Sequence, residues 1–219
     1  MTAMAVRQAG TRRRVMVVPF ATGVAFTACW IAGLAIPAPS PRLTASGATI
    51  VAALAGHGGE VVANFVLTEG LPAFGLAVVS AFLARALRGL GATGLARTAR
   101  VAGLVAAALS LTQCVLGVAL ARASAPGTAR ELSELVSRLD GVKMFALAAL
   151  AAAAAIASLL PGWLRYLSAA LAISITASGV AYLFLLDGVA WLAYPAGLLL
   201  LAVIPATGYA LGRTRTDAP

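Results

Sequence analysis

VAGLVAAALSLTQCVLGVALA, residues 101–121, carries no charged side chain, with Arg97 and Arg100 on one side of it and Arg122 on the other. As an α-helix rising about 1.5 Å per residue, the run spans about 30 Å, the thickness of bilayer hydrocarbon. It lacks the period-two alternation of an outer-membrane β-strand, and in lipid a helix satisfies its own backbone polar groups. A membrane-spanning helix is therefore predicted. The composition extends this to the whole chain, which is 61% hydrophobic and 11% charged, against about 25% charged in soluble domains. Mean hydropathy is +0.96.

Five further runs qualify: 15–36, 60–87, 142–161, 163–186 and 190–211. The predicted fold class is all-α, a polytopic membrane helix bundle of six transmembrane helices in a single domain (15–211), with a basic tail at 1–14 and a short tail at 212–219. PGW (161–163) and DGVA (187–190) are short turns, which makes the last three spans antiparallel neighbours. The alanine-rich fourth span suits close helix packing. TRRRVMVV (11–18) followed by AIPAP (35–39) has features of a cleavable leader, but the apolar run exceeds the usual 7–15 residues of such leaders, and an uncleaved span is expected.

Lys and Arg are retained on the cytoplasmic side. Eleven of the sixteen basic residues fall in the segments that share a side with the termini, and five (Arg42, Arg122, Arg130, Arg138, Lys143) in the other set. Both termini are thus expected in the cytoplasm, with the chain in the plasma membrane. The net charge of +9 follows from arginines facing anionic headgroups, with no nucleic-acid partner. Expected partners are the lipid bilayer, a small ligand or ion, and a further copy or another membrane protein. Arginine supplies fifteen of the basic residues, a bias that suits a GC-rich bacterial genome.

Two outer segments are more than turns. In TASGATIVAALAG (44–56), Ile50, Val51 and Leu54 share a helical face after a possible cap at Ser46. In 128–140, Thr128 and Glu131 form a capping-box pattern. Leu132, Leu135, Val136 and Leu139 have amphipathic spacing, and Glu134 and Arg138 are an i,i+4 pair. A surface-lying helix leading into span four is expected.

The polar residues concentrate in AGHGGEVVANFVLTEGLP (55–72). At about 100° per residue, His57, Asn64 and Thr68 fall within about 80° of Glu60, while Glu69 lies about 180° away. Pro72 offers no N–H to the Thr68 carbonyl, so a hinge is expected beside Glu69. Gln113 on span three lies at matching depth. Span five adds Ser174, Thr176, Ser178 and Tyr182, and Asp140 and Lys143 stand at the outer start of span four. Together these residues predict an outward-facing polar cavity between spans two to five. Glu60, Asp140, Lys143 and Asp187 are expected to reach the headgroups, and Asn64 and Gln113 to bond neighbouring helices. Glu69 is too deep for that, and must carry a proton or hold a cation or basic partner.

Catalytic sets are not assembled. One histidine and two cysteines on separate spans give no metal site and no cofactor is expected. No histidine follows the serine of TASG (176–179) to serve as its base. Cys29 and Cys114, at similar depths, are read as buried thiols or as a pair. The outer amphipathic segment before span two, RLDGVKM (138–144) and LLPGWLRYLSAALAISITASGVAYLF (159–184) together resemble small six-span bacterial integral membrane proteins classed as a domain of unknown function. The resemblance implies the threading and carries over no activity.

Two functional expectations follow: a non-enzymatic accessory or sensory protein whose polar pocket takes a small ligand or lipid headgroup, or a small proton- or cation-coupled transporter using Glu69. The threading is checked by single cysteines in intact cells. A cysteine at position 42 should react with an impermeant maleimide, and one at position 92 should react only after the membrane is opened.

Overall fold

The computed structural model describes residues 2–213, with side chains from residue 17 onward. The arginine side chains at 7, 12, 13 and 14 and the tail beyond 213 lie outside the described residues. The chain forms α1 (Thr2–Leu34), α2 (Gly47–Leu54), α3 (Gly58–Phe65), a π-helical turn (Val66–Gly70), α4 (Leu71–Gly89), α5 (Thr93–Leu120), α6 (Pro126–Ile156), α7 (Gly162–Leu183), a 3-10 segment (Asp187–Leu192) and α8 (Ala193–Arg213). Six helical stretches are long and apolar enough to cross a membrane. This is the all-α polytopic bundle that the apolar runs predict.

Each crossing packs on the next in sequence, and α1 packs on α8. The six therefore form a closed ring. Ring closure depends on small residues that admit a neighbouring backbone. A Cβ on Gly23 would lie 2.8 Å from Pro205 Cα, and one on Gly208 would run into the Pro19 carbonyl oxygen. Proline and glycine thus face each other reciprocally across the α1–α8 contact. Gly141 on α6 similarly meets the backbone of Gly179 and Leu183 on α7. Such close approaches suit lipid, where packing replaces the hydrophobic effect as the force between helices.

At one end of the ring, Trp163 and Tyr166 are exposed. At the other, Phe184, Trp191 and Tyr194 are exposed. Two aromatic belts of this kind sit where hydrocarbon meets water.

α2 covers the end of the bundle nearer His57. The Ser46 side chain accepts from Thr49 N–H, as a cap should, and Ile50 and Leu54 are buried in a satellite core with Val61, Leu120 and Ala129. The second expected outer segment is a different matter. Residues 128–140 are not a separate surface helix but the first turns of α6, which runs unbroken from Pro126. No glycine or proline that breaks the helix stands between Leu139 and Val142; Gly141 serves packing instead. Thr128 makes no cap, since the helix starts after Ala125. The ion pair is Arg130 with Glu134 at 2.8 Å, and Arg138 instead donates to the Leu183 carbonyl. α6 also ends at Ile156, short of Pro161, where Arg165 Nε donates to the freed Ala155 carbonyl.

Pro205 lies inside α8 and has no N–H for the carbonyl four residues back, that of Leu201. Thr27 on α1 supplies the missing donor, at 2.9 Å. Thr27→Val is expected to cost about 1–2 kcal/mol, measured as unfolding free energy in detergent or bicelles. In a Pro205→Ala background, where residue 205 regains its N–H, the same change should cost much less.

Candidate functional site

The second crossing changes register where it carries its acid. α3 gives way at Val66 to a π turn, closed by Leu71 N–H on the Val66 carbonyl, and α4 then starts with Pro72 in its first turn. The disturbance expected at Pro72 takes this form: the turn is widened to i→i−5 just ahead of the residue that lacks a donor. π-bulges of this sort accumulate at functional positions.

The polar residues of the expected stripe have separate partners. Asn64 Nδ2 donates to the Gly33 carbonyl of α1 at 2.9 Å, and the Thr68 hydroxyl donates to the Asn64 carbonyl at 2.8 Å, its methyl lying against Gly33. His57 Nδ1 and Glu60 Oε2 meet at 2.5 Å on the exposed end of α3. The four residues of the expected stripe are thus divided between a contact with α1 and a surface pair. Glu69 faces the other way, toward α5 and α6.

There it meets Lys143. Lys143 Nζ lies 2.7 Å from Glu69 Oε1, 2.7 Å from Glu69 Oε2 and 2.6 Å from Asp140 Oδ1. Gln113 Nε2 on α5 donates to Asp140 Oδ1 and to the Val136 carbonyl, both at 3.2 Å. Glu69 is 8% exposed, Lys143 5% and Gln113 2%. Ser110 and Cys114 of α5 border Glu69, with Cys114 Sγ against Gly70, and Tyr182 of α7 stands near Asp140 and Lys143. Gly141, pressed on Gly179, brings α6 and α7 together at this level.

Lys143 was expected at the headgroups and is buried instead. The reason lies in α6: its first residue is Pro126, so Lys143 is about five turns into the helix rather than at its start. Asp140, one turn earlier, keeps 19% of its side chain exposed. Gln113 and Glu69 do share a level, as their depths predict, but are joined through Asp140 and Lys143.

Other polar residues are otherwise engaged. Ser174, Thr176 and Ser178 donate to carbonyls of their own helix. Asp187 accepts from Leu43 N–H at 2.9 Å and from the Thr44 hydroxyl, tying the loop after α1 to the 3-10 segment. Cys29 and Cys114 are both free. A cavity of about 20 Å³ between α4, α6, α7 and α8 is lined by aliphatic side chains with Ser80 and Thr207. It has room for about one water. The polar residues therefore pack on one another and do not line this space.

Sequence reasoning left the partnership of Glu69 with Lys143 unread. A signal was present: Lys143 is the only lysine in a chain that otherwise uses arginine fifteen times. Arginine stays charged under all conditions, whereas a buried lysine can exchange its proton.

No protein-family model matches this chain, and no curated protein or solved structure is similar enough to match it. The site stands on its own geometry.

Removing one partner of a buried pair strands the other charge, which typically costs about 3–5 kcal/mol. Lys143→Met should destabilise the bundle on that scale in thermal unfolding, and the double variant Lys143→Met, Glu69→Gln should recover a large part of the loss.

Proposed function

We propose that the chain is a small proton-coupled transporter of the plasma membrane with both termini in the cytoplasm. The Glu69–Lys143–Asp140 cluster is its exchange site. One observation carries the reading: two carboxylates converge on one ammonium inside a bundle of membrane-spanning length. Ionisable groups at such depth are expensive to keep and typically mark ion pathways.

With all three groups ionised the cluster has one negative charge in excess. Taking up one cation makes it neutral, so occupancy changes the electrostatic energy of the whole site. The π turn and Pro72 give the cluster a helix that can change register. Broken or irregular helices at a buried ionisable site are a recurring transporter device. The accessory or sensory reading needs a polar cavity lined by these residues, and their packing against one another favours the transporter.

The test is proton movement in liposomes with an entrapped pH-sensitive dye. An imposed pH gradient should collapse faster with the protein than without it. Glu69→Gln and Lys143→Met should reduce the rate to that of empty liposomes, and Glu134→Gln should not. Wild-type protein that leaves the gradient untouched, yet is stabilised against heat by a small ligand, would support the accessory reading instead.

A further inference from the structure

The cluster's hydrogen bonds also say which atom receives the proton, if the proton-exchange reading above is right. An ammonium has three donors. Those of Lys143 are matched by three acceptors, Glu69 Oε1 and Oε2 at 2.7 Å each and Asp140 Oδ1 at 2.6 Å. Both oxygens of Glu69 are thereby held by the positive charge. Asp140 Oδ1 is also taken twice, by Lys143 and by Gln113 Nε2. Asp140 Oδ2 is the one carboxylate oxygen of the cluster to which no hydrogen bond is made among the described residues.

Each element around the site contributes groups, and none supplies the missing charge. Glu69 comes from the π turn, Ser110, Gln113 and Cys114 from α5, and Tyr182 from α7, all uncharged except Glu69. On α6 itself, Arg130 is paired with Glu134, and the exposed Arg138 donates to Leu183.

A metal cation does not fit the vacancy in the charge balance. Hard cations surround themselves with about six oxygens or more. Here three of the four carboxylate oxygens are on Lys143, which leaves Asp140 Oδ2 and the unpartnered Gln113 Oε1. A proton needs one oxygen. Access points the same way: the Asp140 side chain is 19% exposed, against 11% for Glu69 and 7% for Lys143, and it lies one turn nearer the Pro126 end of α6.

We propose that the exchanged ion is a proton and that it binds Asp140 at Oδ2, with Glu69 the standing counter-ion of Lys143. Binding converts the Asp140 carboxylate and H+ to a neutral carboxylic acid, and release reverses it. No other bond forms or breaks. Asp140 is then the carrier, and Glu69 a positioning residue that holds the ammonium in place and sets the charge surplus.

Infrared spectroscopy of the wild-type protein in lipid vesicles reads this, because an un-ionised carboxyl has its own carbonyl band. The band of a carboxyl enclosed in the bundle lies at higher frequency than those of the surface carboxyls, and this high-frequency band is the one followed. The band should appear as pH is lowered. It should shift when the protein is made with carboxyl-13C aspartate and stay in place with carboxyl-13C glutamate. Asp140→Asn should abolish it and Asp187→Asn should not. Glu69→Gln leaves one carboxylate for one ammonium, so the aspartate band should vanish there too. A band that moves with labelled glutamate, no carboxyl band at any pH where the protein is folded, or an aspartate band that persists in Glu69→Gln would each overturn the proposal. An aspartate band at Asp140 without proton flux in liposomes would uphold the assignment and remove the transporter reading, so the two fail separately.

Discussion

In hydrocarbon there is no water to bond an open N–H or C=O, so every backbone polar group must find its partner inside the protein. Much of this bundle's detail is a response to that constraint at its prolines. Pro205 frees the Leu201 carbonyl, and Thr27 reaches across from α1 to occupy it. Pro72 follows a π turn whose wider closure, Leu71 on Val66, is completed just before the missing donor. One repair binds two helices together. Beside Pro72 the π turn carries Glu69, which faces α6 from the side of the helix opposite Asn64 and Thr68.

The placement of Glu69 decides the electrostatics. A lone carboxylate at Glu69 would be costly, and Lys143 offsets it with two short contacts. Asp140 then makes the set unequal, two acids to one base. A purely structural pair would be balanced, and interiors often do better with apolar residues than with ion pairs. The unequal set is the feature on which the exchange role proposed above rests. The choice of lysine in an arginine-rich chain fits that view, since an ammonium is a compact charge able to swing between neighbouring acceptors.

The crossings were legible because hydrophobic length is a strong signal: the predicted run 101–121 overlaps α5 up to Leu120, and the run 163–186 overlaps α7 up to Leu183. The Ser46 cap and the buried face of Ile50 and Leu54 were legible too, from capping chemistry and period. The start of α6 was not. Glu131, Glu134 and Arg138 make its first turns look like a surface helix, and Gly141 looks like a boundary when it is a packing contact. Misplacing that start put Lys143 near the headgroups and hid its meeting with Glu69. The π turn escaped as well, because residue periodicity assumes one helical pitch throughout, and Pro72 announces a disturbance without specifying its form. Glu69 itself was found by depth alone, since a carboxyl far from either helix end has few inexpensive fates.

The contact between α1 and α8 joins the two most distant parts of the sequence. During synthesis the first crossing must wait in the bilayer, its Gly23 groove filled only by lipid, until the last one is made. A chain stopped before Pro205 would present that unfilled seam, and with it the Thr27 hydroxyl, to whatever machinery surveys unfinished membrane proteins. Assembly of this ring is thus a late event, governed by the arrival of one helix rather than by gradual accretion.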